Sequence, residues 1–91
     1  MSEERDYMVD LRTLTVMRDK IAKIDEQILQ LLEERIDCAK IIGDIKRANG
    51  KDIYVPEVER EKIKRLSAAS RYPGLSETIW PVIICYTRSV E

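Results

Sequence analysis

The sequence contains no histidine and no phenylalanine, and only three glycines, three prolines, two cysteines and one tryptophan in 91 residues. Without histidine there is no imidazole base and no imidazole metal ligand, so the usual Ser-His and Cys-His triads are excluded. Scarce glycine leaves no glycine-rich phosphate loop, and no G-x-S-x-G turn occurs. Cys38 and Cys85 lack metal spacing and both fall in helical stretches, which reads as buried, reduced thiols. The longest apolar run, Val82 to Cys85, is far too short to span a bilayer. The first residues, MSEERDY, are polar and acidic, unlike a signal peptide, and a cytoplasmic location is expected. Sixteen basic residues balance seventeen acidic ones for a net charge of −1, which is no nucleic-acid or membrane footprint.

What is there is helix. Met8 to Asn49 has no proline, no glycine before Gly43, and a high content of Leu, Ile, Lys, Glu and Arg. A helix over this stretch is roughly 60 Å long at about 1.5 Å per residue. A compact domain of this size is narrower, so the apolar face needs a partner. Met17, Ile21, Ile24, Ile28 and Leu31 form a heptad stripe by alternating steps of four and three. Arg35 then stands where another leucine would fit, before Cys38, Ile42 and Ile45 continue the stripe. Lys46 lies eleven residues on, about three turns, and shares the face of Arg35. Arg18 is about 25 Å from Arg35 along the axis and about 100° away in rotation. The two arginines of one chain do not meet on one small ligand, whereas an antiparallel partner brings its own Arg18 beside Arg35.

Residues 1–7 read as a polar tail, followed by one domain over residues 8–91. The first helix starts between Asp6 and Thr13, where several capping residues compete, and stops at Asn49-Gly50. Gly43 inside it costs about 1 kcal/mol relative to alanine, and close approach of another backbone or of a ligand is one reason to keep it. Pro56 opens a second helix running to about Ser70, with Val58, Ile63 and Leu66 on its apolar face. Glu57 and Glu61 share a face, with Arg60 beside them. Arg71-Tyr-Pro-Gly74 breaks the chain, and Ser76 is a candidate cap for a third helix. Pro81 either kinks that helix or opens it. Trp80, Val82, Ile83, Ile84 and Tyr86 are core candidates.

The remaining chemistry is a set of cations on apolar helix faces, Arg18, Arg35 and Lys46, followed by Glu57 and Glu61. Arginines grip carboxylates through paired hydrogen bonds, and a lysine stabilises a developing negative oxygen. The set suits a small dianion. Read without context, each of these residues also fits a bland role. Arg35 sets helix register, Lys46 ends a helix in solvent, and Arg18, Glu57, Arg60 and Glu61 are surface charges.

The elements Arg18-Asp-Lys-Ile, Ile24-Asp-Glu-Gln-Ile-Leu-Gln-Leu-Leu-Glu-Glu-Arg35, Ile42-Gly-Asp-Ile-Lys46 and Pro56-Glu-Val-Glu-Arg-Glu61 together resemble the all-helical (AroQ-type) chorismate mutases over about residues 14–91. The resemblance implies an all-α fold of three helices per chain, one very long and two shorter, in an intertwined homodimer with two shared active sites. It implies rearrangement of chorismate to prephenate, the branch step towards Phe and Tyr, with no cofactor and no metal. Arg35 and Arg18 from the partner chain would clamp the carboxylates. Lys46 would bind the ether oxygen. Glu61 would accept from the ring hydroxyl, assisted by Glu57, with Arg60 orienting the cluster. Thr87 falls at a carboxylate-binding hydroxyl position, and Glu91 where many members have a glutamine that donates to the ether oxygen. A glutamate donates only when protonated, so activity is expected to rise towards acid pH. Met1 reads as the start of a free-standing mutase, without feedback inhibition. The competing readings are an isochorismate pyruvate-lyase, whose members tend to lack an acid at the position of Glu61, and a non-catalytic helical dimerisation module.

Overall fold

The structure is a computed structural model, and it describes residues 10–91. The tail expected over residues 1–7, and helix starts earlier than Asp10, lie outside the described residues. Three α-helices and no strand occur among the described residues: α1 (Leu11–Ala48), α2 (Pro56–Ala69) and α3 (Leu75–Val90). The chain divides into two compact units, the first ending at Glu33 and the second spanning Glu34–Glu91. Helix α1 runs from the first unit into the second.

In the first unit the helix begins on Asp10. Its carboxylate accepts from the backbone N–H groups of Arg12 (3.0 Å) and Thr13 (3.2 Å) and from the Thr13 hydroxyl (2.7 Å). These bonds satisfy N–H groups that have no partner within the helix. They also hold the Asp10 carboxyl below its ordinary pKa, the Thr13 hydroxyl contributing most. The heptad stripe is present and uncovered: exposure is 42 % at Ile24, 45 % at Met17 and 62 % at Leu31.

The second unit holds the rest of α1 with α2 and α3. Helix α1 ends in a left-handed glycine, Gly50 (φ 64°), with Lys51 N–H donating to Lys46 C=O at 2.8 Å and Gly50 N–H to Arg47 C=O at 3.2 Å. This is the paired closure that an Asn-Gly end favours. Pro56 opens α2, where its missing N–H costs nothing, and Glu57 and Glu59 in the first turn suit the helix dipole.

The start of α3 corrects the expectation that Ser76 caps it. Tyr72-Pro73-Gly74-Leu75 forms a turn with Gly74 at φ 81°, ψ −7°, closed by Leu75 N–H to Tyr72 C=O. Those angles suit glycine after proline in a type II turn, so the helix starts at Leu75. Ser76 is buried instead, and its hydroxyl donates to Ile63 C=O of α2 at 3.0 Å. Pro81 lies inside α3, which continues through it. Helices α2 and α3 pack on each other. Among the described residues Ile84 is the one large apolar side chain that is buried. Trp80 and Ile83 are half-buried, while Val82 and Tyr86 are exposed. Two residues correspond to about 200° of helix rotation, so positions 82 and 86 turn away from the face that buries 84. Cys38 and Cys85 are free, as expected, but exposed rather than buried. No helix among the described residues is long and apolar enough to cross a membrane.

Candidate active site

The second unit contains a cavity of about 220 Å³ built from all three helices and the connector between α1 and α2. From α1 it takes Arg35 and Lys46, with Ala39 and Ile42 between them. The eleven-residue spacing puts the two cations on one face. From α3 come Ile84, Thr87 and Arg88, and Glu91 closes the chain end. Apolar walls from Ile42, Ile53, Val55, Val58 and Ile84 strengthen any charge interaction made there.

The polar groups are tied to the scaffold. Arg35 Nη1 donates to Thr87 Oγ1 at 3.1 Å, and that hydroxyl donates onward to Ile83 C=O at 2.8 Å. Thr87 is buried, so both of its bonds lie away from water. Lys46 Nζ makes one long bond, 3.4 Å, to Ile53 C=O, which leaves two ammonium hydrogens for a ligand. Arg47 Nη1 donates to the main-chain oxygen of Glu91 at 3.0 Å and also pairs with Asp44. The Glu91 carboxylate lies over Gly43, with Oε2 3.5 Å from where a Cβ would stand. That is ordinary van der Waals contact with a side chain, so the close approach of a backbone or ligand expected at Gly43 is not what the structure shows.

Of the residues singled out in the sequence, Arg35, Lys46, Thr87 and Glu91 line this cavity. Arg18 is exposed in the first unit. Helix α2 departs from the expectation. Glu57 and Glu61 line an adjoining depression with Arg65, which shares Val58 and Lys62 with the cavity, and Arg60 is exposed and paired to Glu57 at 3.1 Å. The α2 acid on the cavity is Glu59. Glu59 is two residues from either glutamate, about 200° round the helix, so the face that presents Glu59 turns the other two away. The missed signal was the inward stripe Val55, Val58, Lys62, spaced three and four, which carries Glu59 beside it. Lys62, Arg88 and the Cys38 thiol also line the cavity and were not anticipated. With Arg35 and Lys46 there are four cations against two carboxylates, Glu59 and Glu91, an arrangement made for an anionic ligand. No group of metal-ligating side chains occurs among the described residues.

The sequence profile of the family described as chorismate mutase type II matches residues 17–91. The chain belongs to this family. As a chorismate mutase type II family member it is 48 % identical over 60 residues to the bifunctional chorismate mutase/prephenate dehydratase of Aquifex aeolicus (strain VF5), covering 63 % of this chain and 17 % of that protein. It is 34 % identical over 70 residues to the T-protein of Enterobacter agglomerans, covering 72 % of this chain and 19 % of that one. The chain thus spans less than a fifth of the curated relatives it matches. No solved structure matches it at a significant level. The matched residues, 17–91, include every residue that lines the cavity.

Proposed function

We propose that the chain converts chorismate to prephenate, as one subunit of a homodimer with shared sites. The observation that carries this reading is one cavity holding Arg35, Lys46, Glu59 and Glu91 around apolar walls, in a chain of the chorismate mutase type II family. The reaction is a [3,3] rearrangement. The ether C–O bond breaks as a new C–C bond forms within one molecule, with no nucleophile and no net proton transfer. Catalysis therefore consists of holding a compact conformer and meeting charge as it develops on the ether oxygen.

In this reading Arg35, steadied by Thr87, grips one carboxylate in paired hydrogen bonds. Arg18 of the partner subunit grips the other. Lys46 turns its two free N–H donors to the ether oxygen and a neighbouring carboxylate. Glu91 stands on the same side of the cavity as Gly43 and Arg47, and Glu59 accepts from the ring hydroxyl. The uncovered stripe Met17, Ile21, Ile24, Ile28 and Leu31 supports the dimer, because these large apolar side chains are otherwise left in water. Two free, exposed thiols fit the reducing cytoplasm.

The test is chorismate consumption by purified protein at about pH 5 and about pH 7.5, with the product identified. Prephenate at both is expected. Pyruvate released from isochorismate would indicate the lyase. No turnover by an intact dimer would indicate a non-catalytic module.

A further inference from the structure

We propose that Arg88 binds a carboxylate of the substrate, held in place by Tyr54. This rests on the mutase reading above.

Arg88 follows Thr87 on α3 and lines the same cavity as Arg35, Lys46 and Glu59. Its guanidinium carbon lies 3.6 Å from the centroid of the Tyr54 ring. Such stacking fixes the plane of an otherwise flexible side chain through the ring quadrupole. The ring covers one face of the guanidinium, while its N–H donors lie in the plane and stay available at the edge. Arg88 makes no ion pair among the described residues, in contrast to Arg47 with Asp44 and Arg60 with Glu57. Tyr54 sits in the connector between Ile53, whose carbonyl accepts from Lys46, and Val55, which lines the cavity. The connector therefore steadies two cations of the site, Lys46 by its backbone and Arg88 by an aromatic face.

From α2 the cavity takes Val58, Glu59 and Lys62, whereas Arg60 is exposed and paired to Glu57. Arg88 brings a guanidinium to the same cavity from the neighbouring helix. A carboxylate there meets two in-plane donors, a geometry that a lysine ammonium does not reproduce. Arg88 is a binding residue in this scheme and Tyr54 a positioning residue.

The test measures kcat and KM for chorismate in the wild type and in Arg88→Ala, Arg88→Lys, Tyr54→Leu and Tyr54→Phe, with helicity and dimer state checked for each. Arg88 grips ground state and transition state alike, so Arg88→Ala should raise KM about 10- to 100-fold with kcat nearly unchanged. Arg88→Lys should recover only part of that loss. Tyr54→Leu should raise KM by about 3- to 10-fold, Tyr54→Phe should restore it, and Tyr54→Leu should add little in an Arg88→Ala background. If Arg88→Ala is poorly folded, Arg88→Gln keeps the stem and should show the same rise in KM. A wild-type KM in folded Arg88→Ala or Arg88→Gln, beside an active wild type, overturns the proposal and leaves the mutase reading standing. A wild type that does not turn over chorismate overturns both.

Discussion

Arg35 and Thr87, fifty-two residues apart, are joined by a 3.1 Å hydrogen bond in which the guanidinium donates to the hydroxyl oxygen. The Thr87 hydrogen is committed to Ile83 C=O. Thr87 therefore presents its lone pair to Arg35, and in this arrangement it orients a cation where the family resemblance had it touch a carboxylate. Thr87→Val keeps the shape and removes the acceptor. It should lower kcat/KM by roughly 10- to 100-fold, the range for a hydrogen bond to a charged group. Thr87→Ser should retain most of the activity. Steady-state kinetics on the two variants checks this, and an unimpaired Thr87→Val would show that Arg35 does not need the bond.

The rotation of α2 separates two glutamates that look alike in the sequence. Glu59 lines the cavity, and Glu61 lies on the other depression. Glu59→Gln keeps the size but weakens the acceptor for the ring hydroxyl, so kcat/KM should fall by about 10- to 100-fold. Glu61→Gln should stay within about 2-fold of the wild type, as exposed substitutions away from a site do. The reverse order would place the functional face of α2 where the sequence alone suggested it.

Sharing of the site between subunits has a kinetic signature. Arg18→Ala and Arg35→Ala homodimers should each be nearly inactive. After exchange of subunits, a mixed dimer has one site with both arginines and one with neither. An equimolar mixture makes half of its dimers mixed, so about one quarter of wild-type activity should return. Activity assays during subunit exchange check this. No recovery would mean that each site takes both arginines from one chain.

Asp10 makes the start of α1 sensitive to acid. Its carboxyl is held below the ordinary aspartate value of about 3.9, chiefly by the Thr13 hydroxyl. The sign follows from linkage: a depressed carboxyl stabilises the folded turn above the unfolded pKa and loses that contribution as pH falls through the folded one. The first turn should fray below about pH 4, and Asp10→Ala should fray it at neutral pH. Amide hydrogen exchange at Arg12 and Thr13 reads this directly. Exchange unchanged by the substitution would remove Asp10 as the cap.

Local rules made much of the chain legible. The Asn-Gly end of α1, the proline that opens α2 and the Arg-Tyr-Pro-Gly break each act within a few residues, where backbone sterics decide the outcome. The shared face of Arg35 and Lys46 followed from eleven residues of regular helix. Ser76 was misread because two local devices competed, and the Pro-Gly turn prevailed by fixing the chain one residue earlier. Its hydroxyl then found the Ile63 carbonyl, a partner thirteen residues away that no short-range rule names.

By itself, then, the sequence determined the three helices, the end of α1, the start of α2, the heptad stripe and the cations of α1, because these depend on propensity and on periodicity within one element. Only the tertiary structure decided which face of α2 meets the cavity, that Glu59 and not Glu61 is the acid this helix brings to it, and that Arg88 lies stacked on Tyr54. Those outcomes depend on how one element is rotated about its own axis against another. A rotation of two residues exchanges opposite faces of a helix while leaving its own hydrogen bonds intact, so local pattern carries little information about it.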